Sequence, residues 1–205
     1  PENNPVEWEL KELRSHVLLE SDEGFETTRR WTGNWILDSA ESVSPPTCMY
    51  ACPAAVSRDN DCVLTLLADL PVELGDQAQC QLWYDLRPGF DYLYLEASTD
   101  GLNWSTLAGS HTTEADPNGL NAGYGITGNS SGAWEPVSWP LDSYLDQRIW
   151  LRLRLQYSDR SDYLGARVDD FSPTAEWQES LSHTHVIQQQ EAIVSSLEDV
   201  AWQVR

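Results

Sequence analysis

Basic side chains are scarce in this chain of 205 residues. It contains 12 lysine and arginine residues against 33 aspartate and glutamate residues, a formal net charge of −21, and Lys11 is its single lysine. Such a charge repels the phosphates of nucleic acids and the anionic lipids of membranes, so we expect neither as a partner. It is typical of acidic extracellular proteins, of salt-adapted proteins and of proteins that collect divalent cations, although solubility alone also explains it.

Long apolar runs and catalytic signatures are also missing. No run approaches the roughly 20 apolar residues that a membrane-spanning helix needs. The sequence has no HExxH zinc motif, no GxSxG nucleophile motif and no glycine-rich phosphate loop. Hydrophobic residues still make up 40% of the chain, which is enough to fill a sizeable core. We therefore expect an ordered, non-catalytic protein without membrane insertion.

Cysteines are few, and all of them lie in one part of the chain, at Cys48, Cys52, Cys62 and Cys80. Zinc sites usually contain two close pairs, whereas this spacing has one, so it favours two disulfides and an extracellular or cell-surface location. Sequence leaves three pairings open. We favour Cys48–Cys52, which closes a short loop beside prolines, and Cys62–Cys80, which joins two candidate strands.

The clearest structural signal is an alternation of apolar and polar residues over 149–157. One face carries apolar side chains and the other carries Trp150, Arg152, Arg154 and Gln156. A period of two over nine residues predicts a half-buried antiparallel strand. Residues 77–86 and 93–97 repeat the pattern, and an all-β, antiparallel fold follows. The apolar face of 149–157 consists of Ile149, Leu151, Leu153, Leu155 and Tyr157.

Helical spacing occurs only near the chain ends. Residues 5–14 predict a marginal helix, because so short a segment is barely stable alone. Residues 174–205 lack glycine and proline, and we predict an amphipathic helix there. Its apolar stripe must rest on this domain, on a protein partner or on a second copy of the chain. The stripe comprises Val186, Ile193, Leu197, Val200 and Val204.

An ordered series of short motifs resembles a known family. It runs from GFE (24–26) and GNW (33–35) through QCQLWYDL and YLYLEASTDGLNWSTL to GAWEPVSWPLDSYLDQRIWLRLRLQYSD and GARVDDFSP. The series resembles the MAM-like jelly-roll modules of secreted bacterial peptidases of the immune inhibitor A type, and covers roughly residues 18–173. The cysteine-rich insert at 48–62 and the C-terminal helix depart from the family pattern.

The resemblance implies a two-sheet jelly-roll β-sandwich with no catalytic centre of its own. It also implies that Trp104, three residues after the Asp100-Gly101 turn, packs over the sandwich edge rather than binding a ligand. We expect an N-terminal arm at 1–14, the sandwich at 15–174 and a helical extension at 175–205.

Carboxylates near the first and last strands predict a calcium site. Glu26 follows the GFE glycine and phenylalanine, and Asp169 and Asp170 lie in the last strand candidate. These strands are often neighbours in such sandwiches, and Ca²⁺ takes six to eight oxygen ligands. In the alternative, one aspartate faces solvent and the other caps a turn.

Outward-facing aromatic residues are candidates for ligand binding. Trp83 and Trp150 alternate outward on their strands, and flat aromatic rings are common in glycan-binding sites. Arg152 and Arg154 share a face with Trp150 and predict an acidic-ligand or glycan surface. The alternative is an outer sheet face where arginines stack on aromatic rings and pair with acids.

These patterns together predict a non-catalytic extracellular module that mediates protein–protein contact or assembly of a surface structure. Two alternatives remain open, a carbohydrate-binding module and an accessory domain of a secreted metallopeptidase.

Overall fold

The computed structural model describes residues 8–19, 24–51, 61–158 and 163–185, with the backbone alone for 8–19 and 176–185. The chain divides into two compact units, Pro1–Ser15 with Gln178–Arg205, and His16–Trp177. Thirteen strands are described, and a single 3-10 turn lies at Asp142–Tyr144. Among the described residues no helix is long and apolar enough to cross a membrane.

The strands follow one another along the chain as β1 (Trp8–Leu19), β2 (Trp31–Gly33), β3 (Ile36–Asp38), β4 (Cys48–Ala51), β5 (Asp61–Leu66), β6 (Leu70–Pro71), β7 (Gln77–Asp85), β8 (Tyr92–Ser98), β9 (Ser105–Thr106), β10 (Glu135–Pro140), β11 (Arg148–Gln156), β12 (Gly165–Ser172) and β13 (Thr174–His185).

Two antiparallel sheets form the body of the fold. One has the order β10-β7-β12-β4-β3, and the other has the order β2-β5-β11-β8-β9 with β6 paired to β11. Strands β1 and β13 form a separate two-stranded sheet. The predicted all-β, antiparallel architecture is confirmed, and it is that of a β-sandwich.

Strand β11 confirms the predicted alternation. Ile149, Leu151, Leu153 and Leu155 are fully buried in the core, while the residues between them are half-buried on the outer face. Burying one such leucine stabilises the fold by about 2 kcal/mol. Strand β11 pairs with both β5 and β8, so this row lies in the middle of its sheet.

The chain passes from the six-stranded to the five-stranded sheet at the GNW motif. Gly33 has a φ of +148°, and a Cβ atom built there would lie 2.0 Å from the carbonyl oxygen of Val63. Only glycine fits so close to a neighbouring backbone. Trp31 and Trp35 on either side are buried and belong to the hydrophobic core.

Both predicted terminal helices require correction. Strand β1 occupies most of the predicted helix at 5–14, so that prediction is wrong there. The first part of the predicted C-terminal helix is strand β13. Pairing between β1 and β13 satisfies backbone groups across the chain and outweighs a weak local helical preference. The apolar stripe from Val186 onward lies outside the described residues.

The cysteine prediction also requires correction. Cys48 and Cys80 are free and buried, Cys62 is buried as well, and the Cys48 thiol donates a hydrogen bond to the carbonyl oxygen of Glu41 at 3.0 Å. Neither predicted disulfide is present, and Cys52 lies outside the described residues. Cys62 and Cys80 lie in opposite sheets. Packed sheets are about 10 Å apart, whereas a disulfide needs Cα atoms about 4.4–6.8 Å apart.

The thiols predict a clear labelling pattern. Burial, with help from Asp38 and Asp169, raises the pKa of Cys48 to about 12, and burial raises the pKa of Cys80 further. We expect an aromatic disulfide reagent at about pH 8 to label Cys48 and Cys80 only after unfolding in urea without reductant. Peptide mass spectrometry identifies the labelled positions. Disulfides would leave these cysteines unlabelled even in urea.

Candidate functional site

A shallow depression of about 530 Å³ lies on the outer face of the six-stranded sheet, beside the hairpin of β8 and β9. Most of its lining is polar or charged, with one large aromatic residue, Trp104. The lining residues are Glu96, Leu102, Asn103, Trp104, Ser105, Thr106, Ala122, Arg152 and Arg154.

The turn between β8 and β9 places Trp104. One carboxylate oxygen of Asp100 accepts hydrogen bonds from the backbone N–H groups of Leu102 (2.8 Å) and Asn103 (2.7 Å). The Ser98 hydroxyl accepts from the N–H of Gly101, whose φ is +71°. The predicted Asp-Gly turn is therefore confirmed, and its side chains fix the backbone just before Trp104.

The loop over residues 111–134 forms the far wall. The structure places this segment over the outer face of β8, against Tyr92 and Tyr94. The N–H of Ala122 donates to the hydroxyl of Tyr94 at 2.9 Å, and burial raises the pKa of Tyr94 to about 12. A Cβ atom at Gly125 would lie 2.7 Å from the ring of Tyr92, so glycine permits the close contact.

A row of paired charges forms the floor. Glu96 is nearly fully buried, and its two oxygens accept from Nε of Arg152 at 2.5 Å and from Nη1 of Arg154 at 3.4 Å. Arg154 also makes a two-point contact with Asp61, at 3.0 and 3.2 Å. Burial acts to lower the pKa of Arg154, but Asp61 and Glu96 outweigh it and raise the pKa. The positive charges of Arg152 and Arg154 are therefore matched by the negative charges of Glu96 and Asp61.

Arg152 connects the charged floor to the aromatic wall. Its guanidinium carbon lies 4.2 Å from the centre of the Trp104 ring, a favourable cation–π contact. Its Nε is bonded to Glu96, while its two terminal amino groups have no hydrogen-bond partner within the described part of the chain. These groups are donors that the depression can offer to a ligand.

Both interpretations of the outer face that carries Arg152 and Arg154 fit the structure. Arg152 and Arg154 do stack on aromatic rings and pair with acids, as in the structural alternative. They also line a depression, as a binding surface requires. Trp104 packs against Arg152, in line with the predicted packing role, and lines the same depression.

The two predicted aromatic platforms lie elsewhere. Trp83 is only 8% exposed, and the Arg167 guanidinium lies between its ring and that of Tyr50, at 4.7 and 4.3 Å. Trp150 is half-buried on the outer face of β11 but does not line the depression. Ligand binding by either residue stays a prediction.

The predicted calcium ligands take different positions. Asp169 is fully buried, and its Oδ2 accepts from the N–H groups of Val43 (2.7 Å) and Ser44 (2.9 Å). Burial raises the pKa of Asp169, although these hydrogen bonds act to lower it. Glu26 is exposed, and Asp170 lines a smaller depression between β7 and β10. No group of three or more potential metal ligands occurs among the described residues, and the calcium site stays a prediction.

The sequence analysis did not identify Glu96 as a residue of the site. In the run YLYLEAS it reads as an ordinary outward residue, yet every residue of β8 is buried. The one available signal was the pair of arginines at 152 and 154, since guanidinium groups on a sheet face commonly pair with acids on neighbouring strands.

Comparison with models of known protein families finds none that matches this chain, and no curated protein matches its sequence. The resemblance to MAM-like modules therefore stays a prediction.

The Asp100 turn predicts an unusual titration. Hydrogen bonds from Asn103, Leu102 and Ser98 hold the pKa of Asp100 well below its ordinary value of 3.8. Because folding lowers this pKa, the stabilisation from ionised Asp100 is fully present above the ordinary value of 3.8. It is lost as the pH falls from there through the lower folded-state pKa. In carboxyl NMR spectra at pH 3.8, we expect Asp100 to remain ionised. Half-protonation there would contradict the assigned contacts.

The charged floor predicts a loss of stability on Glu96→Gln. The amide leaves at least one half-buried guanidinium without its carboxylate, so we expect the free energy of unfolding to fall by about 1–3 kcal/mol. Urea unfolding measures this. The matched control is Asp61→Asn, whose carboxylate is 39% exposed and for which we expect about 0–1 kcal/mol. Equal losses from both variants would show that Glu96 has no special role.

Proposed function

We propose that this chain is a non-catalytic recognition module of a secreted or cell-surface protein, which attaches through its surface to another molecule. The observation that carries the proposal is the depression around Trp104, where an aromatic ring, unpaired guanidinium donors and a balanced charge row meet on a rigid sheet. Binding sites of this kind combine apolar surface with a few fixed polar groups.

We also propose a MAM-like jelly roll as the fold, and the strand order supports it. Without the short β6, the segment from β4 to β12 contains eight strands. The first of them lies beside the eighth, the second beside the seventh, the third beside the sixth and the fourth beside the fifth. Successive strands thus form two interleaved Greek keys, the arrangement of jelly rolls. Fold likeness alone does not assign a ligand.

A second candidate is contact with a protein at the edge strand β3. Ile36, Leu37 and Val43 are each 41–43% exposed, and β3 ends its sheet. An edge strand offers unpaired backbone groups to another chain. The opposite edge strand, β10, carries Pro136 and Pro140, which cannot donate to a new strand. The charge of −21 favours a partner with basic residues around the contact.

One panel tests both candidates. We expect the full chain to be retained by at least one member of a set of immobilised extracellular proteins and polysaccharides. Trp104→Ala should lower that affinity about tenfold or more, since aromatic anchors dominate binding energy. Leu37→Asp, at the other face, is the matched control.

The outcomes separate the candidates. Loss of binding in Leu37→Asp but not in Trp104→Ala would show that the edge of β3, rather than the depression, is the binding surface. No retention by any member of the panel would overturn the proposed function.

A further inference from the structure

We infer that the ligand of the Trp104 depression is an uncharged carbohydrate, held by the terminal amino groups of Arg152 and the hydroxyl of Ser105 against the indole of Trp104. The inference rests on the proposed function and names the ligand class of the same site.

The charge of the floor favours a neutral ligand. Both guanidinium groups are matched by carboxylates, since Glu96 contacts Arg152 and Arg154, and Asp61 contacts Arg154. A ligand anion would meet no excess positive charge and would be repelled by a chain of charge −21. A ligand cation would have to draw Glu96 away from two arginines. A neutral ligand rich in hydroxyl groups is not repelled by the negative chain and does not compete for Glu96.

The remaining hydrogen-bond groups suit hydroxyl groups. The two terminal amino groups of Arg152 lie in one plane and have no partner among the described residues. Such a planar fork can donate to two neighbouring oxygens at once. The exposed hydroxyl of Ser105 both donates and accepts, which matches the two-way bonding of a sugar hydroxyl.

The aromatic wall suits the less polar face of a sugar ring. Trp104 is half-buried, with Arg152 held against its ring at 4.2 Å. A flat indole next to polar donors provides an apolar surface and a fixed orientation together. The depression is wide and shallow, so it fits a stretch of an extended chain better than an enclosed single sugar.

The site is already in its binding shape. Asp100 fixes the turn before Trp104, Glu96 holds Arg152, and the loop at Ala122 is bonded to Tyr94. Little side-chain freedom remains to be lost when a ligand binds, which favours measurable affinity from a small contact area.

The test is calorimetric titration of the full chain with soluble oligosaccharides. The neutral probes are hexamers of cellulose, xylan, mannan and laminarin, and the anionic probes are hexamers of polygalacturonate and hyaluronan. We expect binding to at least one neutral probe, with an affinity that changes less than twofold between about 0.05 and 0.5 M NaCl, because no charge on the ligand is screened.

Two variants locate the site. Arg152→Lys keeps the charge but loses the planar fork, and Trp104→Ala loses the aromatic wall. Each should weaken binding about tenfold or more. Trp134→Ala, at a tryptophan that is half-buried like Trp104 but lies outside the depression, should bind as the unmodified chain does. Near-ultraviolet circular dichroism and urea unfolding confirm that each variant is folded.

The results distinguish the inference from the function beneath it. Binding of anionic probes only, weakened by salt, would overturn the inference, as would neutral binding that survives in both Trp104→Ala and Arg152→Lys. Binding of protein members of the panel without any carbohydrate would also overturn it, yet would leave the recognition function standing. If the chain binds neither carbohydrates nor proteins, both the inference and the proposed function are overturned.

Discussion

The structure depends on the two faces of strand β11. Its inner face supplies a row of buried aliphatic side chains to the core, and the strand is bonded on both sides, to β5 and to β8. Its outer face presents Arg152 and Arg154 to the depression. The packing that stabilises the sandwich therefore also holds the binding donors, and neither face can shift register without moving the other.

The outer face needs a compensating group because two half-buried arginines lie there side by side. Glu96 supplies it from the neighbouring strand, in direct register with Arg152. A buried pair of this kind adds little net stability compared with apolar residues, but it fixes side-chain geometry. Here it leaves the terminal amino groups of Arg152 oriented while the Nε is committed to the carboxylate.

Local patterns in the sequence predicted local features well. The period of two at 149–157 and the Asp100-Gly101 turn depend on neighbouring residues only, and both are present. Features that depend on distant segments were missed. The burial of Glu96 requires β11 to bring Arg152 and Arg154 against it, and the strand at Trp8–Leu19 requires a partner about 165 residues later in the chain. The cysteine spacing could not show that Cys62 and Cys80 lie on strands of opposite sheets.

The buried thiols have a practical consequence. Cys48 and Cys80 fill core space as small apolar groups and need no oxidant to do so. What these two thiols contribute to the core is therefore the same in a reducing and in an oxidising compartment. Reductant during purification should leave these two core positions unchanged.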